Sequence, residues 1–258
     1  MLHQLKRHPL PVQAHFRHSL VLTYALPRAV LEPLLPPGLQ LDCYEDFGFV
    51  AIALVQTEGL RPTFLPAALG QNFFLSGYRI FTRYTTRAGR HLRGLRILRS
   101  DTDRRLMAAF GNLLTHYHYR LARVELRESA ERLDIAVRTP NAEADLVLHA
   151  DLSSIPAPLP PGSPFPDLET ALHFAGPLPY TFDYEKQTHS LILIKGVRKK
   201  WNPQPVRVDV ETVTFFDQPA FRGATPIFAN AFYVCDIPYR WLRGRREVLP
   251  PKEEETRP

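Results

Sequence analysis

Cysteine is nearly absent from this chain: its 258 residues include only Cys43 and Cys235, far apart and outside any C-x-x-C pattern. That excludes a disulfide framework and a structural zinc site, and makes a reducing cytoplasm the expected compartment. Long apolar runs are missing as well. The run at residues 50–55 (VAIALV) falls far short of the roughly 20 residues a membrane helix needs. The N-terminus, MLHQLKRHPLPVQAHF, has no apolar segment of the kind a secretory signal requires, so neither membrane insertion nor export is expected. Lysine is scarce, six residues against 26 arginines, with none between Lys6 and Lys186. No G-x-S-x-G, G-x-G-x-x-G or G-x-x-x-x-G-K-[ST] occurs, which argues against a serine hydrolase, a dinucleotide-binding enzyme and a P-loop nucleotide hydrolase.

What is present is enough for a core. Hydrophobic residues make up 45% of the chain, with 16 Phe and 10 Tyr, so dominant disorder is excluded. Period-2 segments rich in β-branched and aromatic residues predict strands at 19–24, 49–56, 72–84, 91–99, 116–127, 133–138, 145–151, 190–197, 206–216 and 228–237. Helices are few. One is expected over 27–35, stopped by Pro36-Pro37-Gly38. Another is expected over 103–114, capped by Asp103 and burying Leu106, Phe110 and Leu113 at i, i+4 and i+7. A third is expected over 167–174. Six prolines between Pro156 and Pro166 preclude a central strand there and mark an extended crossover within 153–166. The expected organisation is an N-terminal arm over 1–14, one domain over 15–243 and a flexible tail over 244–258.

Charge is unevenly placed. The net charge is +6, and nine arginines lie between Arg79 and Arg105 against Asp101 and Asp103. Such a segment fits a surface for nucleic acid or a protein partner, or strand faces whose arginines pair with carboxylates and water. Arg79, Phe81 and Arg83 share one face of their strand. If that face is internal, each arginine needs an anion, either a ligand carboxylate held bidentately or a structural partner such as Asp101 or Asp103. His116 and His118 have a spacing able to chelate a metal, but no third ligand is marked, so structural histidines are expected and no metal.

The run HFRHSLVLTYALPRAVLEPLLPPGLQLDCYEDFGFVAIALV, a strand leading into a short helix, then LPPGLQLD and another strand, resembles the acetoacetate decarboxylase-like superfamily. GYRIFTRY, RGLRILRSDTD, KKWNPQPV and ANAFYVCDIPYRW follow in the order of one bacterial family within it, domain of unknown function 2071. The resemblance covers roughly residues 15 to 242. It implies a β-rich α+β fold: a curved antiparallel sheet closed into a cone or barrel, a few short outer helices, and a pocket inside.

Acetoacetate decarboxylase forms a Schiff base through a lysine whose pKa is lowered by a neighbouring cation. The resemblance places those two positions at Tyr119 and Arg120, within GNLLTHYHYR. A phenol has no amine and a guanidinium stays protonated, so that mechanism is not expected. The superfamily's acidic residues fall near Val50 and near Leu75 or Ser76 and do not carry over, whereas Arg17 keeps its spacing ahead of Tyr24. Lys195, Lys199 and Lys200 read as a solvated strand end. The function expected is that of a small-molecule-binding protein or enzyme with an internal pocket for an anionic or carbonyl-bearing ligand, such as a carboxylate or keto compound. Arg17 and Arg79 would anchor charge, and Tyr119 and Arg120 would line the former catalytic position. No cofactor and no membrane partner are expected, and assembly as a homo-oligomer stays open. The alternative is a non-catalytic interaction protein using the basic surface between Arg79 and Arg105. A lysine-dependent decarboxylase or aldolase is disfavoured.

Overall fold

Long stretches of alternating apolar residues build strands in this chain. The computed structural model describes residues 2–176, 178–199 and 201–250. In chain order the strands are β1 (Val12–Pro27), β2 (Gln40–Leu41), β3 (Phe47–Pro62), β4 (Gln71–Thr85), β5 (His91–Thr102), β6 (Tyr119–Leu121), β7 (Arg123–Glu128), β8 (Arg132–Arg138), β9 (Leu146–Asp151), β10 (Tyr180–Glu185), β11 (Ser190–Arg198), β12 (Gln204–Pro205), β13 (Arg207–Val213), β14 (Ile227–Trp241) and β15 (Arg245–Val248). The helices are short: α1 (Leu2–Leu5), α2 (Arg28–Leu31), α3 (Arg105–Leu114) and α4 (Leu168–Ala175). None of those described is long and apolar enough to cross a membrane. The fold is mostly β with a few helices, an α+β arrangement.

An 11-stranded sheet runs through β14, β1, β3, β4, β5, β10 and β11, and β11 pairs back onto β14 from Gly196↔Trp241 to Arg198↔Tyr239, so the pairing is ring-like. It is not wholly antiparallel, as expected from sequence: β5 takes both β6 and β10 as parallel neighbours. The segments carrying α3 and α4 return the chain to the same end of β5, which is what parallel pairing requires. A separate four-stranded sheet has the order β13-β9-β8-β7.

The two sheets pack face to face. Leu20 and Leu22 of β1, Ile52 and Leu54 of β3 and Ile80 of β4 meet Leu133, Ile135, Leu146 and Leu148 of the small sheet in one buried cluster. Each such side chain contributes about 1.5–3 kcal/mol on leaving water. Tyr78 sits among them, donating to the Ala144 carbonyl at 3.1 Å and stacking on Phe215 at 4.1 Å between centroids. The opposite face of the same strands, carrying Val21, Ala51, Ala53, Leu75 and Phe81, turns to an internal cavity. That is why β3 reads as an unbroken apolar run: it is covered on both sides.

Three expectations need correction. Residues 116–127 do not form one strand: His118 takes a left-handed φ of 53°, after which β6 joins the large sheet and β7 the small one. The apolar stripe of α3 faces outward, with Leu106 63% and Phe110 50% exposed, while Met107 and Gly111 are buried. Asp103 does not cap this helix, because its carboxylate accepts the Phe74 N–H at 2.8 Å. Within the segment after residue 243, β15 pairs with β11 and Leu249 is buried; residues 251–258 lie outside the described residues.

Candidate functional site

The inner face of the large sheet encloses a cavity of about 490 Å³, within the usual range for small-molecule sites. Arg79 of β4 projects into it. Its guanidinium folds back along its own strand over Gly77, where a Cβ would stand only 3.0 Å from Nη2, so the missing side chain gives it room. Three tyrosines, Tyr117, Tyr119 and Tyr239, lie close around it. Among the described residues no carboxylate pairs with Arg79, its Nε has no hydrogen-bond partner, and the cavity lining holds no Asp, Glu or Lys. Burial pushes its pKa down from the ordinary value, but a guanidinium stays charged at any physiological pH.

A second cation shares the cavity. Arg198, at the end of β11, donates to the Tyr239 hydroxyl at 3.2 Å and lies over the Trp201 ring at 4.4 Å. The Trp201 indole nitrogen lines the cavity without a partner. Gly196 makes the approach of Tyr239 feasible: a Cβ there would fall 2.0 Å from the hydroxyl oxygen.

Tyr119 is held from two sides. Asn112 of α3 clamps its backbone, donating from Nδ2 to the carbonyl and accepting the N–H at Oδ1, each at 2.8 Å. Its ring lies against Gly111, where a Cβ would come within 2.3 Å. Burial pushes the Tyr119 phenol up to about 12 and the Tyr117 phenol well above its ordinary value. Both are therefore neutral hydrogen-bond donors, and neither is a base at neutral pH. His8, also in the lining, is held neutral by burial, its pKa lowered to about 4.

Of the site residues expected from sequence, Arg79 and Tyr119 come together in the cavity; Arg17 and Arg120 do not. Arg17 is the extra residue of a bulge. Phe16 pairs with Thr57 and His18 with Gln56, leaving Arg17 without a partner on β3 and turned outward onto Glu128 at 2.9 Å. Arg120 alternates away from Tyr119 and pairs with Glu143 on the outer surface. His116 and His118 form no metal cluster with other ligand types among the described residues. Lys195 and Lys199 are exposed, and Lys200 lies outside the described residues.

The dense basic segment is largely neutralised from within. Arg83 and Arg93 pair with Asp42, Arg96 with Asp183, and Arg99 with Asp101 and Glu143. Neither Asp101 nor Asp103 serves Arg79: the first is bound to Arg99 and the second to Phe74 and Arg104. Arg198, Trp201 and Tyr239 were not legible as site residues. Arg198 sits beside three lysines in a segment that reads as solvated, and only the closure of β11 onto β14 turns it inward.

Known structures share this architecture. Acetoacetate decarboxylase from Legionella pneumophila superposes with a TM-score of 0.62 at 13% identity, over 94% of this chain and 88% of that one. The enduracididine biosynthesis enzyme MppR, complexed with pyruvate, gives 0.61 at 12% identity, over 92% and 90%. An acetoacetate decarboxylase-like enzyme from Sphingomonas wittichii RW1 gives 0.58 at 13%, over 95% and 96%. At such identities the likeness extends to the fold alone. A comparison with curated proteins finds no match. The DUF2071 model, described as an uncharacterized conserved protein, matches residues 13–235, and the chain belongs to that family.

Proposed function

We propose that this is a small-molecule-binding protein of the cytoplasm whose large sheet closes as a cone around a site for a carboxylate or keto compound. One observation carries the reading: Arg79 is a half-buried cation facing an internal cavity whose lining, among the described residues, holds no carboxylate to neutralise it. An unpaired buried charge is costly, and an anionic ligand supplies the missing partner with charge-assisted hydrogen bonds. Tyr119 and Tyr117, both protonated, are placed to donate to the same anion or to a carbonyl oxygen. The MppR structure, of the same fold, is complexed with pyruvate, a keto acid. No amine lines the cavity among the described residues, so Schiff-base chemistry has no nucleophile there.

The test is a thermal-shift and calorimetric panel of acetate, pyruvate, acetoacetate and neutral analogues such as acetone. A ligand at 100 times its Kd adds about 2.7 kcal/mol, a rise of roughly 5–10 °C for a domain of this size. Carboxylates that shift wild type and fail to shift Arg79→Met establish the reading. Equal shifts by acetone and acetate, or shifts unaffected by Arg79→Met, overturn it.

A further inference from the structure

The cavity is much larger and more apolar than a small keto acid needs. From Gly77, beside the Arg79 guanidinium, the inner face of β4 continues through Leu75 and Phe73 to Gln71. At ~3.3 Å per residue that distance is about 20 Å. β3 runs alongside, with Val55 paired to Leu75, Thr57 to Phe73 and Leu60 to Gln71, all lining the same cavity. Met107, Phe110 and Leu114 of α3 flank this path, and Gly111 of the same helix meets the Tyr119 ring near Arg79.

This arm ends in an apolar mouth. Leu10, Leu69 and Phe110 line the cavity and are also 38%, 61% and 50% exposed. The outward stripe of α3 is therefore no failed core. Its Phe110 is shared between the cavity and the surface, and Leu106 and Leu113 are exposed on the same helix stripe. Large exposed apolar side chains gathered at the opening of an internal cavity are a costly arrangement for a monomeric fold unless something apolar passes through it. Two arginines, Arg79 and Arg198, flank Tyr239 at one end of this path. Arg61, nearer the mouth, is already committed to the backbone carbonyls of Gly59 and Leu65.

We propose that the ligand is an amphiphilic monocarboxylate: an acid head seated on Arg79 and its tyrosines, and an aliphatic chain running along β3 and β4 toward Gln71, past the Phe110 side of α3. The proposal rests on the anion site above and deepens it by assigning the ligand an apolar body. Specificity would then come from the arm. Each methylene moved from water to an apolar wall is worth about a fourfold gain in affinity, until the chain reaches the mouth.

The experiment is isothermal titration of the full chain with acetate, hexanoate, octanoate, decanoate and dodecanoate, with dodecanol as the uncharged control, below the concentrations at which they form micelles. Affinity rising severalfold per pair of carbons from hexanoate upward, with dodecanol binding at least tenfold more weakly than dodecanoate, supports the proposal. Acetate or pyruvate binding as tightly as dodecanoate overturns it and leaves the anion site standing. Dodecanol matching dodecanoate, with no effect of Arg79→Met, overturns the anion site itself. Phe110→Ser changes a half-exposed side chain of the cavity lining. It should weaken dodecanoate severalfold and leave acetate unchanged, and an equal loss for both would overturn the placement of the chain.

Discussion

Arg79 and Arg99 lie on neighbouring strands of one sheet and face opposite ways. Arg99 points outward into the region between the sheets, nearly inaccessible, with its guanidinium divided between Asp101 and Glu143 at 2.8 Å each. Arg79 points inward to a cavity without a single acid. The same residue type is in one place a structural tie and in the other an open valence. The difference lies in what the neighbouring strands contribute. β5 and the segment after β8 bring carboxylates to the outer face, whereas the inner faces of β1, β3 and β14 bring none to the cavity lining. A buried arginine marks a ligand site only after its possible partners have been accounted for.

The comparison breaks most visibly at Asp101. Removing that carboxylate in Asp101→Ala leaves Arg99 buried with only Glu143, and about 3–5 kcal/mol of stability should be lost in urea unfolding. Arg79→Met, by contrast, removes a charge that has no partner to strand, and the unfolding midpoint should stay level or rise while carboxylate binding disappears. If both variants lost stability equally, Arg79 would be a structural residue like Arg99.

Acid should weaken the inner face first. Burial keeps His8 neutral down to about pH 4, whereas the unfolded residue titrates near 6.5. Between those values the unfolded chain binds the extra proton, so stability falls as pH drops through that window, by on the order of 3 kcal/mol for a shift of this size. His18, His116 and His118 are lowered for the same reason and act in the same direction. His8→Asn, a residue type that tolerates the left-handed backbone found here (φ 53°), should narrow the difference in urea midpoint between neutral and mildly acidic buffer.

Smaller effects sharpen the contrast. Gly111→Ala places a methyl against the Tyr119 ring and should cost about 1–3 kcal/mol, with ligand binding weakened because the phenol is displaced. Arg17→Ala breaks only the exposed pair with Glu128. It should change stability by less than about 1 kcal/mol and leave carboxylate affinity untouched, which titration of the variant checks directly.

Most of the long strands were legible along the chain, because β1, β4 and β5 alternate and β3 is a long apolar run. β10 was not. Its sequence, YTFDYE, buries Asp183 and Glu185, which read as polar surface until Arg96 and Arg7 are brought against them. The stripe Leu106, Phe110 and Leu113 was read correctly as one helix face and assigned to the core. Packing reversed it, since the side of α3 bearing Gly111 is the one flat enough to receive Tyr119.

By itself the sequence determined the material of the site. It supplies no lysine between Lys6 and Lys186, hence no imine-forming amine on any strand from β1 to β10. Strand periodicity also sorted residues onto two faces. It could not say which face was inside, nor where a single extra residue would exchange them. In β1 the bulge at Arg17 does that, so Phe16 lines the cavity on one side of it and Ser19 and Val21 on the other. Partners for the arginines come from strands far apart in the chain, and their arrival is decided only when the sheet curves back on itself. Period-2 geometry is local, whereas charge pairing and enclosure are properties of the closed structure.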